Sequence, residues 1–185
     1  MSYEFQIARG VEFSETDMAG IMHFSNFFRF MEAAEHAFFR SLGSSVARAA
    51  FGPGPCLPRV HAECDYAIPL RFEDEVQVRL LVERKGRRSL TYQFRFNRLN
   101  GLETEEVARG RLTVASVERQ ADGSLKAVPL PQAIADKIEQ APAHLLGHGF
   151  LTNPAPSPLP GESRRERPKR PRGAPARNNH LSITR

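Results

Sequence analysis

The sequence predicts an α+β domain in which one antiparallel sheet wraps around a single long central helix, with a disordered tail at the C-terminal end. Three observations support this prediction. Several segments alternate apolar and polar residues, one segment near the N-terminus repeats apolar residues at helical spacing, and the C-terminal region is rich in proline and arginine. We place the domain at residues 1–145, which is long enough to bury one sizeable core, and the tail at residues 146–185.

The predicted strands are recognised by a period of two. The first, Tyr3–Phe13, carries apolar residues at odd positions. Four more strands are expected further along the chain, at Arg59–Ile68, Asp74–Glu83, Arg88–Leu99 and Glu105–Val117. A period of two with one apolar face is typical of an antiparallel sheet that is covered on one side. The last four strands are therefore expected to form a meander, with a turn at Asn100-Gly101 and a short closing helix at Pro131–Gln140.

The long helix is predicted between Phe24 and Leu42. Apolar residues recur along it at spacings of four, three, four and four, at Phe27, Met31, Ala34, Phe38 and Leu42. Ser25 is expected to cap the start of the helix, and Gly43 is expected to end it. A helix with so wide an apolar stripe must be nearly surrounded by protein.

The order of these elements suggests how they pack. One strand, a long apolar helix and four further strands bury both apolar faces most economically when the sheet wraps around the helix. This arrangement is the hotdog fold. Because the wrapped sheet keeps open edges, and such edges are usually paired in an assembly, we expect a homodimer or a homotetramer.

The basic charge of the chain is concentrated in the tail. The formal net charge is +5, yet residues 151–185 hold eight basic and two acidic residues, a net charge of +6. The rest of the chain then has a net charge of −1, which argues against a globally basic nucleic-acid-binding domain. Two interpretations of the tail stay open: a dispensable extension, or a basic arm for nucleic acid or an acidic membrane surface.

Other features of the composition bear on the compartment and on cofactors. The sequence shows no leader at its start and no apolar run of about 18 residues, the length that a membrane span needs. We therefore expect a cytoplasmic protein without membrane contact. Cys56 and Cys64 fit neither a disulfide framework nor a zinc site. We expect no metal and no cofactor.

The residues best suited to chemistry lie between the first strand and the helix. Asp17 is a carboxylate in the loop just before the helix, and Gly20 allows the backbone to turn closely. The helix start offers unpaired N–H groups and the positive end of the helix dipole, which suit a carbonyl oxygen that becomes negative during attack. Asp17 is thus a candidate general base or nucleophile for hydrolysis. The alternative is a helix cap or a solvated loop residue.

The segment around Asp17 also carries a family resemblance. Its sequence, Glu15-Thr-Asp17-Met-Ala-Gly20-Ile-Met-His23-Phe-Ser-Asn26-Phe-Phe, resembles the acidic-loop motif of the 4-hydroxybenzoyl-CoA thioesterase family. That motif reads roughly D-x-D-x-x-G-[IV]-[VM]-x-[FY]-x-x-[FY], and the family belongs to the hotdog superfamily. The second Asp, the Gly, Phe24 and Phe27 match, while Glu15 stands where the first Asp is common. The likeness extends over residues 3 to about 130.

The resemblance implies an acyl-CoA thioesterase, which hydrolyses an acyl- or aroyl-coenzyme A thioester to the free acid and coenzyme A. It implies that Asp17 is the catalytic carboxylate, that the backbone N–H of Phe24 polarises the thioester carbonyl, and that Gly20 shapes the loop. His23 has no firm counterpart in the motif, and we expect it to line the pocket or assist, or only to pack. Asn26 is either a polar residue of the substrate pocket or a helix-start residue without chemistry.

A second cluster is basic and lies at a predicted turn between two strands. Lys85, Arg87, Arg88 and Ser89 surround Gly86 there. Arginine and backbone N–H groups around such a turn can hold phosphates, which coenzyme A carries at its nucleotide end. We therefore expect Arg87, Arg88 and Ser89 to contact coenzyme A, with Lys85 as a further candidate. The alternative is a solvated basic hairpin.

Functions other than thioester hydrolysis also fit the sequence. A non-catalytic acyl-CoA-binding hotdog module would have the same fold. An enoyl-CoA hydratase-type enzyme usually has an Asp and a His about five residues apart, whereas Asp17 and His23 are six apart. A metal site is a minor possibility on the strand face that is shared by three residues, His61, Glu63 and Asp65. The polar helix residues Glu32, Glu35 and His36 are expected to lie away from the apolar stripe.

Overall fold

A computed structural model describes residues 1–45 and 54–147 of the chain. All of these residues belong to one compact unit, Met1–Asn153. The predictions for residues 46–53 and for the tail from residue 148 onward lie outside the described residues. The position of the boundary at residue 145 stays a prediction.

The main sheet has five antiparallel strands. They are β1 (Glu4–Gly10), β2 (Arg59–Tyr66), β3 (Glu75–Lys85), β4 (Ser89–Asn100) and β5 (Glu103–Ala115), in the spatial order β1-β3-β4-β5-β2. Each predicted strand is found within a few residues of its expected position, and Gly101 takes the positive φ of +62° that the turn between β4 and β5 requires.

The strand order corrects one expectation. Only β3, β4 and β5 form a meander, because β2 pairs with β5 at the far edge and β1 pairs with β3 at the other edge. Strand β1 is also shorter than predicted: the chain leaves the sheet after Gly10, and Phe13 lies in a 3-10 turn, Phe13–Glu15. Among the described strands, β1 and β2 are thus the two edges of the sheet.

Two smaller elements follow β5. A two-stranded ribbon, β6 (Val117–Arg119) with β7 (Leu125–Ala127), was not predicted, since its strands are too short to show a period. Helix α2 (Gln132–Ala135) is a single turn, shorter than the predicted closing helix. The chain beyond α2 returns to the sheet, where Ala141 N–H donates to Val82 O at 2.8 Å.

The central helix α1 spans Ser25–Ser41 and packs its apolar side on the sheet. Phe24 occupies the N-cap position without a side-chain cap, which corrects the expected role of Ser25. At the other end, Gly43 has a φ of +72°, as a glycine that ends a helix does, and Lys137 Nζ donates to Leu42 O at 2.6 Å. Among the described residues, no helix has the length and apolarity to cross a lipid bilayer.

The helix approaches the sheet most closely at Gly110 of β5. A Cβ atom built at this glycine would overlap the side chain of Met31, which is fully buried in α1. A residue without a side chain is therefore needed at this position so that α1 can lie on the sheet.

One charged residue of α1 is buried, against expectation. Only 2% of Glu35 is exposed, and Arg59 at the start of β2 donates to its carboxylate at 2.6 Å. The same guanidinium reaches Glu32 at 3.1 Å, and Glu32 and His36 are partly exposed as expected. Burial raises the pKa of Glu35 to about 7, more than the charge of Arg59 lowers it.

Candidate active site

The loop that precedes α1 is closed by its own hydrogen bonds. Asp17 N–H donates to Ile21 O at 2.9 Å, and Gly20 N–H donates to Asp17 O at 2.9 Å. Gly20 adopts a φ of +71°, the conformation that the sequence suggested for it. Ala19 N–H donates to Asp17 Oδ1 at 2.8 Å, so the carboxylate is held in one orientation, and its other oxygen has no partner among the described residues.

Glu15 is bonded both within this loop and to the start of the helix. Glu15 is 8% exposed, and its carboxylate accepts the N–H of Glu12 at 2.9 Å. The carbonyl of Glu15 accepts Asn26 Nδ2 at 2.7 Å and His23 N–H at 2.9 Å. Asn26 therefore holds the helix start against the loop, in addition to lining a cleft described below.

The helix start contains one backbone donor that lacks an acceptor in the described part of the chain. Phe24 N–H has no hydrogen-bond acceptor among the described residues, while the Tyr66 hydroxyl donates to Phe24 O at 3.3 Å. The contact with Tyr66 fixes the backbone of Phe24 from the end of β2. The side chain of Phe24 is 60% exposed.

An apolar cleft of about 360 Å³ opens between this helix start and the end of β2. Its walls are Asp17, Ile21, Met22, Phe24, Phe27, Tyr66, Ala67, Ile68, Pro69 and Leu70. Phe27 makes edge contacts at its base, with ring centroids 4.9 Å from Tyr66 and 5.2 Å from Phe96. Sequence reasoning missed the segment that follows β2. Pro69 is the sequence feature that could have indicated this segment, because a proline ends a strand there and the chain turns toward the helix.

A second, polar cleft of about 680 Å³ lies on the other side of the loop. It is lined by Phe13, Ser14, Thr16, Asp17, Met18, Gly20, His23, Asn26 and Arg29. Asp17 lines both clefts. The carboxylate thus stands where an apolar group and a polar group of one ligand, or a ligand and water, can meet.

Comparison with known proteins assigns this arrangement to a family. Residues 11–138 match the model of the thioesterase-like superfamily. The chain belongs to this superfamily. A 1,4-dihydroxy-2-naphthoyl-CoA hydrolase of Synechococcus sp. (strain CC9311) is 31% identical over 138 residues, which are 70% of this chain and 85% of that relative.

Solved structures share this fold. A 1,4-dihydroxy-2-naphthoyl-CoA thioesterase from Synechocystis has a TM-score of 0.67 at 22% identity, over 73% of this chain and 95% of its own. A mutant 4-hydroxybenzoyl-CoA thioesterase complexed with 4-hydroxybenzoyl-CoA has a TM-score of 0.67 at 17% identity, over 75% of this chain and 100% of its own. The hotdog fold is confirmed, and with the family the predicted enzyme class, a thioester hydrolase.

In this thioesterase-like chain, the basic turn lies far from Asp17. Arg87 and Arg88 connect β3 to β4, and their side chains are exposed without an ion-pair partner among the described residues. From Ser89 at the start of β4 to Phe96 at the cleft, the strand rises by roughly 23 Å. In the described part of the chain, the walls of neither cleft include the basic turn, and contact with coenzyme A stays a prediction for Arg87, Arg88 and Ser89.

Other candidates are placed by their contacts. Lys85 Nζ donates to Ala135 O at 2.5 Å and to Ile138 O at 2.8 Å, so it holds the end of α2 and the residues just after it instead of facing a phosphate. His61 lies 3.2 Å from Glu63 on β2, but the described residues contain no group of three side chains placed to bind a metal. Cys56 and Cys64 are both free thiols, and burial raises the pKa of Cys64 to about 12.

Proposed function

We propose that this protein hydrolyses an acyl- or aroyl-coenzyme A thioester at the junction of the two clefts. The observation that carries the proposal is the position of Asp17, an oriented carboxylate that lines both clefts beside the start of α1. The free N–H of Phe24 lies at that helix start. Hydrolysis of a thioester needs at least a base or nucleophile, which the carboxylate can provide, and a hydrogen-bond donor to the carbonyl oxygen, which the unpaired N–H can provide.

The proposed mechanism has two forms that share the same residues. The thioester carbonyl oxygen accepts the N–H of Phe24, and the helix dipole stabilises the negative charge that develops on it. Asp17 then either takes a proton from water as general base or attacks the carbonyl carbon as nucleophile, with water consumed in a second step. Gly20 keeps the loop in the conformation that aims the carboxylate.

We assign the acyl group to the apolar cleft. Its volume of about 360 Å³ and its walls of aromatic and aliphatic side chains suit an aromatic or medium-sized acyl group. The relatives that are named for 1,4-dihydroxy-2-naphthoyl-CoA support an aroyl substrate. Phe27 and Tyr66, whose rings contact each other, both line the cleft and would contact such a group.

We assign the nucleotide end of coenzyme A to Arg87, Arg88 and Ser89 of a neighbouring subunit. Within one chain, roughly 23 Å of β4 lies between Ser89 and Phe96, which contacts Phe27 beside the cleft. The open edges β1 and β2 support a homodimer or a homotetramer, which can place one subunit's turn at another subunit's cleft. We also propose a cytoplasmic location, where a reducing environment keeps thiols such as Cys56 and Cys64 free.

The test is thiol release, followed with a disulfide-exchange dye over short, medium, long and aryl acyl-CoA esters. Asp17→Asn keeps the hydrogen bond from Ala19 and removes the base, so turnover should fall by at least 10³-fold with the fold unchanged. Glu118→Gln, an exposed carboxylate of β6, is the matched control and should retain full turnover.

Three results would contradict parts of this proposal. Undiminished turnover in Asp17→Asn would remove Asp17 from the mechanism. Tight binding of acyl-CoA esters without thiol release from any of them would instead favour the non-catalytic binding module. Hydration of an enoyl-CoA ester without thiol release would favour the hydratase-type enzyme.

A further inference from the structure

His23 lies between the loop of Asp17 and the first turn of α1, and its hydrogen bonds define its tautomer. Its Nδ1 accepts Ser25 N–H at 3.4 Å and lies 2.8 Å from Ser25 Oγ. A backbone N–H can only donate, so Nδ1 carries no proton, and the Ser25 hydroxyl must donate to it as well. The proton of the neutral imidazole is therefore on Nε2.

The ring of His23 is also fixed in orientation. It stacks on the ring of Phe24 with centroids 4.4 Å apart and an interplanar angle of 35°. Its backbone is held by the bond from His23 N–H to Glu15 O, at 2.9 Å. The half-buried imidazole lines the polar cleft together with Asp17, and Nε2 has no acceptor among the described residues. One oriented donor is thus available in the cleft that contains the carboxylate.

We propose that His23 is a catalytic residue that orients the water consumed in thioester hydrolysis, by donating its Nε2–H to the water oxygen while Asp17 accepts a proton of the same water. This inference rests on the proposed function in its general-base form, because only there is Asp17 a free carboxylate when water attacks. A water held by one acceptor and one donor keeps a single lone pair free, and that lone pair is aimed at the carbonyl carbon.

The bonds and protons balance without any change in His23. In the general-base form, the water oxygen bonds to the carbonyl carbon and one water proton passes to Asp17. The C–S bond then breaks, its electron pair leaves on sulfur, and sulfur takes the proton from Asp17 to give the free thiol. His23 keeps its proton throughout, so its contribution is orientation and not proton transfer.

Four variants of the full-length protein separate this role from a structural one. His23→Phe keeps the stacking and removes the donor, so kcat should fall by about 10²-fold while KM changes little. His23→Gln keeps an N–H at a similar distance and should restore kcat to within about tenfold of wild type. Ser25→Ala removes the hydroxyl donor to Nδ1 and leaves only the longer bond from the backbone N–H to hold the tautomer, so kcat should fall about threefold. Glutamine has no tautomers, so in the His23→Gln background the loss of kcat caused by Ser25→Ala should be less than half as large.

Hydroxylamine added to the same assay provides a readout that folding does not affect. It competes with water for the acyl group, and loss of water orientation should raise the ratio of hydroxamate to free acid in His23→Phe but not in His23→Gln. Thermal melts report whether each variant is folded. An equal loss of kcat in both His23 variants with an unchanged product ratio would overturn the role of His23 alone. Wild-type protein that hydrolyses no ester would overturn the proposed function and this inference together.

Discussion

Replacing Glu35 by Gln should change how the stability of the fold depends on pH. The carboxyl of Glu35 is 2% exposed, and burial raises its pKa from 4.5 to about 7. Between these two values the unfolded chain has released the proton that the folded chain still binds. Folding is therefore favoured at low pH, and this contribution is lost as the pH rises through about 7.

The size of the effect follows from the two pKa values. For a single carboxyl with a pKa of 4.5 in the unfolded chain and about 7 in the fold, linkage gives a loss of about 2.5 kcal/mol between pH 5 and pH 8. Glu35→Gln cannot titrate, so its free energy of unfolding should lack this slope. Relative to wild type, the free energy of unfolding of the variant should therefore rise by about 2.5 kcal/mol as the pH rises from 5 to 8.

Urea denaturation at several pH values measures this difference directly. Glu32→Gln is the matched control, because Glu32 lies one helical turn away and also contacts Arg59, but is partly exposed. The free energy of unfolding of Glu32→Gln should keep most of the pH dependence seen in wild type. Parallel pH profiles for wild type and Glu35→Gln would refute the reasoning, since they would mean that Glu35 is ionised in the fold at pH 5, held by the guanidinium of Arg59 at 2.6 Å.

Two further predictions concern packing and phosphate binding. Gly110→Ala places a methyl group against Met31 and should lower the free energy of unfolding by about 2 kcal/mol, whereas Gly10→Ala, where nothing lies within 4 Å, should change it little in the same urea titration. Arg87→Ala combined with Arg88→Ala should raise KM for acyl-CoA about tenfold or more and leave the KM for the acyl N-acetylcysteamine thioester unchanged, because only the former carries phosphates. Arg119→Ala, an exposed arginine of β6, is the control, and equal KM changes for both esters would contradict the assignment.

Local pattern was enough to predict the five strands of the main sheet, α1 and the loop of Asp17. The turn at Gly20 depends on residues within five positions of one another, and the stripe of α1 is a property of one helix. The edge position of β2 was not predictable in this way, because strand pairing is set by contacts between residues far apart in sequence. The burial of Glu35 was missed for the same reason. A polar residue beside an apolar stripe is predicted to be exposed, and the sequence of α1 does not show that Arg59 of β2 pairs with it.

The candidate site shows the same division. Asp17, Gly20, Phe24, His23 and Asn26 are close in sequence, and the structure brings them together at the helix start. The walls contributed by the segment after β2 required the fold, since Tyr66 and Pro69 become neighbours of Phe24 only when β2 takes its place at the edge of the sheet. The bond between His23 and Ser25 spans two residues, yet only coordinates show which nitrogen it engages.

The exposure of the site in a single chain is itself an argument for assembly. Apolar side chains around the Asp17 loop face solvent: Phe13 is 75% exposed, Phe24 60% and Phe72 49%, and Phe13 and Phe72 contact each other edge to face at 5.8 Å. Exposed apolar groups that cluster in this way mark surfaces that other protein covers. A free N–H stabilises developing charge far more strongly where water is excluded. Burial of this patch by a second subunit would therefore serve stability and catalysis at once, and it is the physical basis for expecting that the functional unit is a homo-oligomer.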